Sequence, residues 1–213
     1  KTAINLPEGK NLVGSIYQPK AVFIDQNILN TLPNDEIIAG LGEVIKYGLI
    51  ADKNFFLNIV KWINDIPNFP FKEAIETCCE IKSKIVSRDE NESGERALLN
   101  FGHTVGHALE SSSGSYSIRH GEAVAYGMLC SGYISVKLNK LSINEYTLLA
   151  DTIKKLPLPS LKKVNKEHLL SFIKKDKKNE IGRLKFIIIN RIGEAEVSYD
   201  VSEDLLKESF SVL

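Results

Sequence analysis

At 213 residues the chain is long enough for one large domain or two small ones around a buried core. Lysine plus arginine and aspartate plus glutamate number 27 each, so no net field draws it to nucleic acid or an anionic membrane. No apolar run approaches the ~20 residues of a bilayer span. No signal-peptide pattern is visible, and a cytoplasmic compartment is expected.

The chain opens on Lys1 rather than methionine, which suggests a fragment or a processed product. Pro7, Gly9, Gly14 and Pro19 make residues 1–19 read as an irregular loop. Ala21–Asp25 is a short apolar run expected to be a strand. Asn34 then looks like an N-cap, with Asp35 and Glu36 in the first turn of a helix reaching Ile50. Its apolar positions are 37, 38, 41, 44, 45 and 49. Glu43 and Lys46 sit off that stripe, one turn apart, as a local ion pair worth about 0.2–0.5 kcal/mol would.

Helices are expected over 54–66, with Phe55, Phe56, Ile59, Val60 and Ile63 inward, and over 71–87. Pro67 and Pro70 separate them. The second carries Lys82 and the adjacent Cys78 and Cys79, read as reduced thiols in a helix core. A charged loop over 88–96 leads into a helix through His107. Further helices are expected over 121–138, 143–156 and 167–174. A hairpin over 184–199 and a last helix capped by Ser202 complete the chain. His168 reads as a surface histidine. The fold class is mostly α: a multi-helical domain with a small β-hairpin and short strands.

The chemistry concentrates in Arg96–His107. Arg96, Asn100, His103 and His107 follow one another at steps of four, three and four, which lines them along one face of a helix. Leu98, Leu99, Val105 and Leu109 fall opposite. His103-x-x-x-His107 offers two nitrogens to one metal, and His120 follows at a helix N-terminus, where the dipole disfavours protonation. On the residues alone the ligands are His103, His107 and His120 plus a carboxylate. Arg96 and Asn100 beside them favour an acidic, oxygen-rich substrate. No Gly-x-Gly-x-x-Gly follows a strand, so any nucleotide site lies largely elsewhere.

These motifs make the chain resemble the C-terminal portion of the 3-dehydroquinate synthase family. They are Lys1-Thr2-Ala3, Gly9-Lys10-Asn11, Tyr17-Gln18-Pro19, Gly42–Lys46, Asp89–Glu92, Arg96–His107, His120-Gly121-Glu122 and Asp176–Lys178. The resemblance implies conversion of 3-deoxy-D-arabino-heptulosonate 7-phosphate to 3-dehydroquinate and phosphate in the shikimate pathway. That reaction runs by oxidation, β-elimination, reduction and aldol closure, with NAD and zinc or another divalent metal such as cobalt.

It implies Glu43, His103 and His120 as metal ligands and Glu92, His107 and Lys46 as catalytic groups. Lys1, Asn11, Lys82, Arg96, Asn100 and Lys177 would bind substrate. Lys10, Ile28, Leu29, Asn30 and Thr31 would touch NAD. Residues 1–213 would form the metal- and substrate-binding helical domain, with 1–33 a lead-in from an NAD-binding domain that the chain lacks. The chain alone is therefore expected not to turn over. The partner would be a phosphorylated sugar acid, with no nucleic acid or membrane, and the full-length enzyme a homodimer. The alternatives are a related sugar-phosphate cyclase such as 2-deoxy-scyllo-inosose synthase, a metal-dependent alcohol dehydrogenase of similar fold, and a non-catalytic helical module.

Overall fold

The computed structural model describes residues 2–6, 9–15, 17–91, 94–112, 118–161, 165–176 and 184–213. They fall into two units, Lys1–Thr31 and Leu32–Leu213.

In the first unit β1 (Thr2–Leu6) and β2 (Gly9–Ser15) form an antiparallel hairpin with Ile4 opposite Val13. This replaces the irregular loop expected there, because the β-branched Thr2, Ile4 and Val13 outweigh the nearby glycines. The strand expected over Ala21–Asp25 does not form. It finds no ladder partner among the described residues, and Phe23 stands 95% exposed. The Asp25 carboxylate instead accepts the Asn27 N–H at 2.9 Å and turns the chain into a 3-10 helix over Gln26–Thr31.

The second unit is helical: α1 (Asn34–Ala51), α2 (Lys53–Trp62), α3 (Phe71–Arg88), α4 (His103–Ser112), α5 (His120–Lys137), α6 (Ile143–Lys154), α7 (Lys166–Asp176) and α8 (Glu203–Ser209). β3 (Phe186–Arg191) and β4 (Glu194–Ser198) make the expected hairpin between α7 and α8. Pro33, rather than Asn34, holds the N-cap position of α1, and no side chain caps the helix there. The Ser202 hydroxyl accepts the Leu205 N–H at 3.1 Å and caps α8 as expected.

Helix α5 joins two cores. Val124, Ala125 and Met128 pack with Leu41, Ile45, Phe56 and Ile59, while Ala123, Cys130 and Ile134 pack with Val105, Leu109, Leu169 and Phe186. A helix buried on nearly every side needs apolar or small residues all round, and α5 has them. Cys130 lies in this core, where burial pushes its thiol up to about 12 against a weak bond to the Ser209 carbonyl. Cys79 is exposed and Cys78 half-buried, so only part of the expected thiol core exists.

One long helix over Arg96–His107 does not form. Residues Glu95–Asn100 wind as a tight 3-10 helix, and Gly102 then turns at φ +78° before α4 starts at His103. A Cβ at Gly102 would stand 2.7 Å from Met128 Cγ and 2.8 Å from the Val124 carbonyl oxygen. The break lets the chain pass close to α5, and it takes Arg96 and Asn100 off the helical face that carries the histidines.

Glycines set the helix spacing. A Cβ on Gly121 would run into the Ala39 carbonyl oxygen, one on Gly42 into that of Gly121, and one on Gly127 into that of Gly102. Gly40, between Ala39 and Gly42 in sequence but on another side of α1, has nothing within 4 Å of an added Cβ. The two sites predict opposite outcomes. Gly40→Ala should stabilise the fold by up to about 1 kcal/mol through helix propensity. Gly121→Ala should destabilise it by about 1–3 kcal/mol through overpacking. Thermal melts of the two variants against the parent check both signs.

Candidate metal centre

Three helices deliver the site. Glu43 projects from the middle of α1, His103 is the first residue of α4, and His120 is the first of α5. The close approach at Gly42 and Gly121 lies one residue from Glu43 and one from His120. The N-terminal ends of α1 and α5 are also clamped. Arg119 donates to Glu36 at 2.8 Å and reaches Asp35 at 2.5 Å. Glu122 accepts the Arg119 backbone N–H at 2.8 Å, which fixes the first turn of α5.

The two oxygens of Glu43 have different surroundings. Oε2 accepts from Lys46 Nζ at 2.5 Å, so the ion pair expected from sequence exists, although Lys46 is buried rather than solvated. Oε1 is buried with no hydrogen-bond partner. It faces His103 Nε2 at 3.5 Å and His120 Nε2 at 3.6 Å. A tetrahedral zinc with bonds of about 2.0–2.2 Å would hold its ligand atoms about 3.3–3.6 Å apart. The orphaned oxygen and the two nitrogens therefore fit a small divalent metal.

Hydrogen bonds at the far side of each ring orient these nitrogens. His103 Nδ1 lies 3.1 Å from the Phe101 carbonyl oxygen, and His120 Nδ1 lies 3.1 Å from Glu110 Oε2. Each ring thereby turns Nε2 toward Glu43.

The charges follow this geometry. Burial pushes the Glu43 carboxyl up, but His120, Lys46 and His103 together pull it further down, to about 2. Burial, aided by Lys46, lowers His103 to about 4 and keeps it neutral. Glu110 first and Glu43 second raise His120 to about 9. Two carboxylates thus oppose the helix dipole that was expected to disfavour a positive charge on His120.

His107 stands one turn beyond His103. Its ring centre is 5.3 Å from that of His103 and 5.6 Å from that of His120. His103, His107 and His120 can also bring ligand atoms within 4.8 Å of one another. Two candidate sets therefore share His103 and His120: one is completed by Glu43, at 3.5 and 3.6 Å from their Nε2 atoms, and the other by the exposed His107.

The other candidates fall in different places. Arg96 serves its own loop: its guanidinium donates to the Glu90 carbonyl at 2.6 Å and its backbone N–H to Asp89 at 2.9 Å. Asn100 is half-buried on the same 3-10 helix, and Lys82 is exposed on α3. Ile28, Leu29, Asn30 and Thr31 form the 3-10 helix of the first unit. Lys1, Glu92 and Lys177 lie outside the described residues, as do the side chains of Lys10 and Asn11. Sequence reasoning missed Glu110, although 103, 107 and 110 follow the i, i+4, i+7 pattern of one helix face. It also missed Arg119, which has no such signal.

This is a helical fold with a site suited to a divalent metal, and known proteins share it. The family model described as 3-dehydroquinate synthase C-terminal matches residues 40–179, and that described as 3-dehydroquinate synthase N-terminal matches residues 1–39. The chain belongs to the 3-dehydroquinate synthase family.

A 3-dehydroquinate synthase of Colwellia psychrerythraea is 45% identical over 213 residues, covering 98% of this chain and 60% of its own length. One from Rippkaea orientalis is 41% identical, covering 97% and 58%. The chain thus spans about three-fifths of the curated relatives that it matches.

Among solved structures, 2-epi-5-epi-valiolone synthase from Streptomyces hygroscopicus subsp. jinggangensis 5008, with NAD+ and Zn2+ bound, superposes with a TM-score of 0.86. It is 22% identical and is matched over 99% of this chain and 60% of its own. A 2-deoxy-scyllo-inosose synthase complexed with carbaglucose-6-phosphate, NAD+ and Co2+ gives a TM-score of 0.81 at 26% identity, over 97% and 60%.

A metal held by Glu43, His103 and His120 would make substitutions at these histidines differ from those at their neighbours. His103→Ala or His120→Ala should weaken zinc binding by more than about 100-fold, beyond the loss usual for an outer partner. His107→Ala should weaken it by less than about tenfold, and His168→Ala not at all. Competition with a chromogenic chelator measures all four.

Proposed function

We propose that the protein is a 3-dehydroquinate synthase, converting 3-deoxy-D-arabino-heptulosonate 7-phosphate to 3-dehydroquinate and phosphate with NAD+ and zinc, or cobalt in its place. The curated relatives at 40–45% identity over nearly the whole chain are named for that activity. The observation that carries the reading is the buried, unpartnered Glu43 Oε1 facing two imidazole nitrogens at 3.5 and 3.6 Å. The solved neighbours contain NAD+ with Zn2+ or Co2+.

In this reading Glu43, His103 and His120 hold the metal. When bound, it supplies Lewis acidity to a substrate oxygen and leaves coordination positions open for that oxygen. Lys46 neutralises the remaining oxygen of Glu43 and keeps that carboxylate fixed. His107, exposed beside the ligands, exchanges a proton with a substrate hydroxyl. Glu92 is the second proton-handling group. Lys82, Arg96 and Asn100 bind the phosphate and carboxylate ends, with Lys1, Asn11 and Lys177. Arg96 must then release the Glu90 carbonyl or share its guanidinium with substrate. Lys10 and Ile28–Thr31 contact the dinucleotide. Residues 1–33 are the lead-in from the dinucleotide-binding region and the remainder is the helical domain. The working enzyme is a cytoplasmic homodimer.

Phosphate release from the heptulosonate phosphate, measured in the protein that carries this sequence and supplied with NAD+ and Zn2+, tests the activity. It should occur, and His103→Ala should reduce it by about 100-fold or more, as loss of a several-kcal/mol Lewis-acid contribution requires. Release from glucose 6-phosphate with none from the heptulosonate phosphate would assign the chain to the 2-deoxy-scyllo-inosose synthase reaction.

A further inference from the structure

We infer that Glu110 is the positioning residue of the metal centre: it holds His120 in the tautomer and orientation that present Nε2 to the metal. The inference rests on the reading of Glu43, His103 and His120 as ligands. An imidazole has two nitrogens, and only one can face the metal. The hydrogen bond made by the other decides which one does. Glu110 Oε2 lies 3.1 Å from His120 Nδ1, while Nε2 of the same ring points to Glu43 Oε1 at 3.6 Å. The carboxylate and the proposed metal position thus occupy opposite edges of one ring.

The placement has a structural origin. Glu110 lies seven residues beyond His103, two turns along α4. One rigid helix therefore supplies a ligand at its start and, further along, the partner of a ligand on another helix. Glu110 also differs from a solvated surface partner. Its side chain is only 18% exposed, against 47% for His120. Exposed carboxylate–imidazole pairs hold little geometry, whereas a covered carboxylate packed between two helices can hold a ring.

His103 provides an internal comparison. Its Nδ1 lies 3.1 Å from the Phe101 carbonyl oxygen, so the same ring nitrogen is engaged on both histidines. The partner of His103 is a neutral carbonyl and that of His120 a carboxylate. An anionic acceptor makes the imidazole a stronger donor to the metal. Glu43 and Glu110 also flank His120 on its two edges, and because Lys46 offsets the charge of Glu43, Glu110 adds negative charge that favours a cation there.

Zinc titrations of the protein and its Glu110→Gln and Glu110→Ala variants, against a chromogenic chelator, test this. Glutamine keeps the size and an acceptor oxygen but removes the charge; alanine removes both. Alanine should weaken zinc binding by about 10–100-fold and glutamine by a smaller factor, the range typical of outer partners of metal-bound histidines. Zinc-free melting temperatures should stay together, and imidazole nitrogen NMR of the zinc-loaded parent should show His120 protonated at Nδ1. Variants that bind zinc within about twofold of a zinc-binding parent, or a loss of affinity only in step with loss of folded protein, would overturn the assignment to Glu110 alone. A parent that binds no zinc would overturn the metal centre itself, and this inference with it.

Discussion

The backbones of α1 and α5 touch where Gly42 meets Gly121, and the rest of the site depends on that contact. Any side chain there would drive the helices apart, because the neighbouring atoms are main-chain carbonyls that cannot rotate away. Each of these glycines adjoins a residue of the candidate site: Glu43 follows Gly42, and His120 precedes Gly121. A second close approach, of Gly127 to the Gly102 carbonyl, fixes the start of α4 and with it His103. Two glycine contacts on one buried helix therefore bring Glu43, His103 and His120 together. The fold positions the site through the helix spacing that these contacts allow.

Electrostatics completes what packing begins. Lys46 is buried against Glu43, a position that would be unfavourable for a lone ammonium. The paired carboxylate keeps one oxygen for the lysine and one for the histidines. His103, neutral and mostly buried, is ready to donate a lone pair. His120 is held between two carboxylates, Glu110 and Glu43, which raise its affinity for positive charge. This arrangement favours a cation at the centre, whether proton or metal.

Much of this was legible in the sequence, but unevenly. The helices other than α4 were readable because each has an apolar stripe or a breaker at its end: Pro67 and Pro70 after α2, Ser202 before α8. The hairpin of the first unit was misread because its glycines and proline mask a β-branched alternation. The break at Gly102 was missed for a related reason. Arg96, Asn100, His103 and His107 fit helical spacing well, and spacing carries no sign of a positive φ. His103-x-x-x-His107 pointed to the metal centre, yet spacing alone favoured His107 over Glu43 as a ligand. Glu43 lies 60 residues upstream of His103. Only the crossing of α1 and α5 brings it near the histidines, and the resemblance to a known family pointed to it where periodicity did not. The carboxylate beside His120 was missed because its owner, Glu110, lies ten residues upstream on another helix.

The central claim is that Glu43, His103 and His120 converge on one metal ion while His107 stands beside it. An anomalous difference map from crystals of the zinc-loaded protein, recorded at the zinc absorption edge, tests this most directly. The account predicts a single strong peak bonded to Glu43 Oε1, His103 Nε2 and His120 Nε2, at about 2.0–2.2 Å from each. A peak bonded to His103, His107 and His120 with Glu43 still turned to Lys46, or no peak among these residues, would contradict it.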